Sequence, residues 1–348
     1  MVGPPPESWA VDPAAASARE VCPGLVRLRL PTPWPQISHA NAYAIEGVEG
    51  GLVLVDAGCG GHPSGLDALE DALGECGHAL ADVTDLVVTH FHSDHFGSGA
   101  RVAEDTGCEV WAAPDDEHFQ GVWRDPDRYL AERERLARRL GVPELLVPEM
   151  ADVREETDGI DGELTPTRLM QTGVTIPTAL GDWEVVETPG HAPSQVCLHL
   201  AERSMLIAGD VVGPVLAPFF DLGFSADPVA QHLGSLLRLK GLGLAVILPG
   251  HGRPLDDPSE LLRANVAGIE ERVGRLEHEI RTGPGTGWEL FVRLHGDQLD
   301  RASRVWRMWE TAAYLDHLVY TGRIFEETAG PRASRFQAVQ RPSGVSGA

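Results

Sequence analysis

The run Thr89-His90-Phe91-His92-Ser93-Asp94-His95 follows the apolar stretch Leu86-Val87-Val88 and precedes Phe96-Gly97. The apolar stretch reads as a buried strand whose end delivers three imidazoles and a carboxylate to one point. That is a metal site in outline. His90 and His92 are two apart, so an extended backbone projects them to the same side, whereas Asp94 and His95 come after the chain starts to turn. One metal can take His90 and His92, and a second can take Asp94 and His95. Solvated loop residues do not ordinarily gather so many ligand types in such a pattern.

Three further ligand-type residues stand where apolar runs end, each with glycine beside it. His191 closes Glu187-Thr188-Pro189-Gly190-His191 after the strand-like Trp183-Glu184-Val185-Val186. Asp210 closes Ile207-Ala208-Gly209-Asp210, and His251 lies in Ile247-Leu248-Pro249-Gly250-His251-Gly252. Glycine at such places lets backbone approach closely or turn sharply. An earlier strand, Leu52-Val53-Leu54-Val55, ends in Asp56-Ala57-Gly58. Asp56 is expected to hold the metal loop by hydrogen bonds, because a metal-binding histidine needs an oriented partner for its other nitrogen.

With the V-D-x-G element first, and then HFHSDH, TPGH, AGD and PGHG in that order, the chain resembles the metallo-β-lactamase superfamily of metal-dependent hydrolases over roughly residues 25–255. The resemblance implies an α/β fold, an αβ/βα four-layer sandwich with metals along one edge. It implies His90, His92 and His191 on metal one, Asp94, His95 and His251 on metal two, and Asp210 between them.

The composition agrees with that reading. A chain of 348 residues with 43% hydrophobic content can bury the core of one large domain and a smaller one. The N-terminus lacks the basic start and apolar segment of a signal peptide, and no run of eighteen apolar residues occurs. The five cysteines are scattered without a C-x-x-C pair, which fits a reducing cytoplasm. A net charge of −24 repels nucleic acid and anionic membrane. Residues 281–348 carry +2 and the rest −26, so a mildly basic C-terminal segment follows a strongly acidic body.

Taken in order, residues 1–20 read as a disordered leader and 21–257 as the catalytic domain. Strands are expected at 25–30, 41–46, 52–56 and 109–113, with helices at 62–76 and 97–106. Residues 114–177 leave the strand and helix alternation. They form a candidate substrate lid, with a charged helix over 127–140. His118, Phe119, Trp123 and Tyr129 either line that lid or pack its helices together. The proline- and glycine-broken run Val211 to Phe220 offers Phe219 and Phe220 as contacts to a greasy substrate group. Asp227-Pro228 opens a helix through Lys240, the only lysine. Residues 258–340 read as two long helices around a short one opened by Thr286, then a hairpin. That outline is winged-helix-like and similar to the C-terminal appendage of the lactamase-β-2-like branch. Docking or homodimer formation is favoured for it over nucleic-acid binding. Residues 341–348 read as a flexible tail.

Imidazoles and carboxylates without thiolate suit two Zn²⁺ ions. A bridging hydroxide would be the nucleophile, since the pKa of a bound water falls from about 16 toward about 7. Asp94 is the candidate proton carrier. The expected substrate is a thioester, lactone or related acyl compound, carried or not on a thiol; glutathione thioesters are less favoured because no basic cluster is evident. The alternatives are RNA phosphodiester cleavage of the lactamase-β-2 type, or a persulfide dioxygenase with one Fe²⁺ or a mixed Mn/Fe site in place of zinc.

Overall fold

The computed structural model describes residues 15–34, 37–61, 65–114, 116–154, 158–214, 216, 218–328 and 333–339. Seven strands lie side by side in chain order: β1 (Ser17–Cys22), β2 (Leu25–Pro31), β3 (His39–Glu46), β4 (Leu52–Val55), β5 (Val83–Val87), β6 (Glu109–Ala112) and β7 (Arg168–Leu169). The first three pairings are antiparallel and the last three parallel. A second sheet runs β13-β12-β11-β10-β9-β8, from β8 (Thr175–Thr178) through β9 (Gly181–Glu187), β10 (Val196–Leu200), β11 (Met205–Gly209) and β12 (Val246–Pro249) to β13 (Leu255–Asp256). Its one parallel pairing joins β11 to β12.

Strand alternation decides how these sheets stack, because successive side chains leave opposite faces. On β4, Leu52 and Leu54 meet Leu69, Ala72 and Leu73 of α1 (Gly65–Glu75) and Val102 of α3 (Gly99–Thr106). Val53 and Val55 point the other way, into a core shared with Trp183, Val185, Leu198, Ile207 and Leu248 of the second sheet. That sheet's outer face, with Val186, Cys197, Leu206, Ala208 and Ile247, lies under a second helical layer. The order is helices, sheet, sheet, helices, which is the αβ/βα sandwich that the motifs imply. Between α1 and α3, the single turn α2 (Ser93–Phe96) carries part of the histidine motif.

The outer layer on the second sheet holds α6 (Pro228–Lys240), α7 (Ser259–Thr282), α8 (Gly287–His295) and α9 (Arg301–Tyr320), and the hairpin of β14 (Ile324–Glu327) and β15 (Arg335–Ala338) follows. Their starts are written locally. Asp227 caps α6 by accepting from Ala230 N, with Pro228 at the first helical position. Thr286 and Glu289 exchange hydrogen bonds as a capping box for α8. The expected tail lies outside the described residues.

Two boundaries differ from the sequence reading. β1 begins at Ser17, inside the expected leader, and pairs with β2. Its half-polar edge position leaves no apolar alternation to read; residues 1–14 are outside the described ones. The region 114–177 returns to both sheets before it ends, since β7 pairs with β6 and β8 with β9. Its helical part is also tied down. α4 (Pro126–Arg139) and α5 (Val147–Ala151) bury Ala137, Val147 and Met150, with Leu140 between them, in the same core as the C-terminal helices. Trp288 N donates to Leu140 O at 2.8 Å and Ser334 N to Arg139 O at 2.8 Å. Arg139 binds Glu326 and Asp316, and Arg304 binds Glu149. The insertion and the C-terminal helices form one layer. Among the described residues no helix is long and apolar enough to cross a membrane.

Candidate metal centre

The motif residues converge because the strands of both sheets end at one edge. Asp56 follows β4 in the left-handed region, φ 63°, which a short polar side chain tolerates better than most. Its Oδ1 accepts Thr89 N at 2.8 Å, while Oδ2 accepts the Thr89 hydroxyl at 2.8 Å and His95 Nδ1 at 2.9 Å. One carboxylate thus fixes the loop that carries His90 and orients His95. His92 stands just before α2 in extended backbone, and Asp94 and His95 lie within that turn. His191, Asp210 and His251 follow β9, β11 and β12 from the second sheet.

Seven residues meet. His90, His92 and His191 form one trio and Asp94, His95 and His251 another, each with ligand atoms within 4.8 Å of one another. Asp210 joins them: its Oδ2 is 3.8 Å from His191 Nε2 and 3.0 Å from His251 Nε2, and its Oδ1 is 3.4 Å from His95 Nε2. A Cβ on Gly250 would stand 2.1 Å from Asp210 Oδ1 and 2.7 Å from His95 Cε1, so glycine is required where β12 reaches the cluster.

Electrostatics splits the cluster. Burial, then the neighbouring imidazoles, push His90 well below the ordinary histidine value, and burial followed by His92 takes His191 down to about 4. These rings are neutral and offer lone pairs. Burial opposes charge at His251 too, but Asp210 and Asp94 hold its imidazole up at about 10. Against its own burial, Asp94 is held down at about 2 by His95 and His251. The buried atoms His90 Nε2, Asp94 Oδ2, His95 Nε2 and Asp210 Oδ1 make no hydrogen bond among the described residues. Leaving such groups unsatisfied costs about 1–3 kcal/mol each. Divalent cations among them would satisfy all four and would displace the proton that Asp210 and Asp94 hold on His251, leaving neutral imidazoles with ionised carboxylates, the donors such cations take. The His and Asp clusters therefore fit a metal site. The outer nitrogens are held as well: His251 Nδ1 donates to His39 O at 2.7 Å, and His92 Nε2 lies 2.8 Å from Asp221 Oδ2.

The aromatic candidates divide. Phe119 lies against His92 with ring centroids 4.5 Å apart, and Phe219 lies 5.7 Å from His92 and 5.9 Å from His191. Beyond Phe219, Trp306 of α9 continues the line at 5.2 Å. The structure places the other three away from the ligands. Phe220 turns into the helical layer against His232 and Tyr314. Tyr129 is buried on Phe224 with its hydroxyl donating to Glu117 at 2.8 Å, and Trp123 packs on the core beneath α1 and α3. Each fills helix packing, where apolar burial is greatest.

Two groups beside the ligands, Asp221 and Ser194, carry no signal in the sequence reading, and His118, expected on the lid or in its packing, lies buried beside His92. His92, His118 and Asp221 form another trio with ligand atoms within 4.8 Å, and Ser194 Oγ accepts Phe91 N at 3.1 Å. The one available hint is an acid directly after the apolar Phe219-Phe220 pair.

The family model described as the metallo-beta-lactamase superfamily matches residues 37–251. The chain is similar to the probable metallo-hydrolase YqjP of Bacillus subtilis strain 168, at 24% identity over 84% of this chain and 92% of that one. It is also similar to an acyl-coenzyme A thioesterase of Gallus gallus, at 30% identity over 62% of this chain and 73% of the relative. A solved metallo-beta-lactamase family protein of Thermus thermophilus superposes with a TM-score of 0.79 at 27% identity, covering 92% of this chain and all of that one.

Proposed function

The chain belongs to the metallo-β-lactamase superfamily, and on that premise we propose that it is a two-zinc hydrolase of thioesters, lactones or related acyl compounds. The observation that carries the reading is the pair of trios sharing Asp210 beside an aromatic wall of Phe119 and Phe219. His90, His92 and His191 would hold one ion, Asp94, His95 and His251 the other, and Asp210 both. Ions held there would supply a hydroxide at neutral pH and polarise an acyl carbonyl. Asp94, whose Oδ2 lies 3.3 Å from His251 Nε2 and 3.8 Å from His95 Nε2, would take the proton that the water sheds as it becomes the nucleophile and return it to the leaving group. Phe119 and Phe219 keep bulk water from the face of His92 and offer an apolar surface to the acyl chain.

A second, complete trio around His95 supports two ions over one iron, which would leave Asp94, His95 and His251 without a role. Phosphodiester cleavage is less favoured because the basic residues of α9 are spent on the protein: Arg301 pairs with Asp152, Arg304 with Glu149 and Arg307 with Glu310. The acyl-coenzyme A thioesterase relative supports a thioester in particular. The test is a panel of acyl-coenzyme A thioesters, lactones and structured RNA with the zinc-loaded protein. Release of free thiol or hydroxy acid is expected. Cleavage of RNA alone would overturn the acyl reading.

A further inference from the structure

Building on the metal-centre reading, we infer that Asp221 positions His92 for metal one, and that it does so from the segment after the shared carboxylate Asp210, outside the motif that carries the ligand. An imidazole presents its lone pair from one nitrogen only when a partner fixes the proton on the other. His92 Nδ1 lies 2.9 Å from His191 Nε2 and faces the trio. The Nε2 on the far side lies 2.8 Å from Asp221 Oδ2, with both side chains buried. The Asp221 oxygen 2.8 Å away is the acceptor within reach of that ring N–H, so this contact keeps the proton on Nε2 and the lone pair on Nδ1. The backbone of Asp221 adds a second tie, since its N–H donates to His191 O at 3.2 Å. One residue therefore touches two metal-one histidines that arrive from different sheets.

The surroundings hold Asp221 in place. Its Oδ2 is 3.8 Å from His118 Nε2, which is 3.2 Å from Ser194 Oγ, which in turn accepts the N–H of Phe91 beside His92. The two preceding residues anchor on opposite sides, Phe219 on His92, His191 and Trp306, and Phe220 on His232 and Tyr314. Across the centre, Asp56 does for His95 what Asp221 does for His92. The two halves of the site thus depend on separate carboxylates, one from each half of the fold, and can be weakened separately. Partners of metal-ligating histidines typically change metal affinity 10- to 100-fold when removed.

The test is a cobalt(II) titration of the full-length metal-free protein, read by its visible absorption against a competing chelator. It compares wild type with D221A, D221N and D56N. D221A is expected to weaken one of two cobalt ions about 10- to 100-fold, with a changed absorption for that ion, and to leave the other nearly as in wild type. D56N is expected to weaken the other ion. D221N keeps an acceptor oxygen without the charge and should fall between wild type and D221A. Equal loss of both ions in D221A, or two ions bound as in wild type, overturns the proposal. Where D221A does not fold, D221S replaces it, since serine also cannot reach His92. Failure of wild type to bind cobalt would defeat the metal-centre reading itself, whereas binding by wild type with unaltered variants defeats only the role of Asp221.

Discussion

Asp56 Oδ2 lies 2.9 Å from His95 Nδ1, and the same carboxylate takes both the N–H and the hydroxyl of Thr89. One side chain at the end of β4 therefore aligns a ligand in α2 and fixes the turn that leads to it. Replacing Asp56 with alanine leaves buried donors at Thr89 and His95 without acceptors, and is expected to cost about 2–3 kcal/mol. Urea unfolding of D56A against wild type measures this, and a loss below about half a kcal/mol would contradict it.

Gly250 has no room for a side chain. A methyl there meets Asp210 Oδ1 at 2.1 Å, so G250A must displace the carboxylate that both trios share. The predicted outcome is a folded protein by circular dichroism that retains fewer metal ions after dialysis and has at least tenfold lower turnover. Wild-type metal content in G250A would show that Asp210 has freedom the packing denies it.

His232 supplies a pH dependence away from the ligands. Burial, and then His191, lower its pKa to about 3, against 6.5 for an exposed histidine. A depressed histidine pKa means that the unfolded chain takes up a proton the folded chain refuses. Below about pH 6.5 the folded state therefore loses stability, by about 1.4 kcal/mol per pH unit until the folded pKa is reached. Denaturant midpoints at pH 7 and pH 5.5 should diverge more in wild type than in H232Q. Equal divergence would mean that His232 takes up its proton in the folded protein.

Phe219 and Trp306 form a line of rings leading away from His92 and His191. On the acyl reading, W306A and F219A should lower kcat/KM for long-chain acyl thioesters by about tenfold, the value of about one methylene in an apolar pocket, with a smaller effect on acetyl thioesters. Equal losses for both chain lengths would remove the wall from substrate recognition.

Much of this arrangement is legible in the amino-acid sequence because its carriers are regular. Each of His90, His191, Asp210 and His251 stands just past an apolar strand, and the alternation of Leu52, Val53, Leu54 and Val55 is enough to give the sheet two buried faces. What is not legible depends on packing between distant segments. Phe219 and Phe220 are neighbours of the same type, yet one faces the ligands and the other the helical layer, and nothing local chooses between them. Asp221 lies in irregular chain, where no period marks the side a residue faces. The inserted helices read as a lid because they interrupt the strand and helix alternation between two ligand motifs; Ala137, Leu140 and Met150 become a core face only against α7 to α9, more than 100 residues later in the chain.

The most direct test of the account is the metal content of protein purified without added metal, by elemental mass spectrometry. Close to two zinc ions per chain is the predicted result. About one iron per chain, with no second ion taken up on titration, would contradict the two-zinc hydrolase.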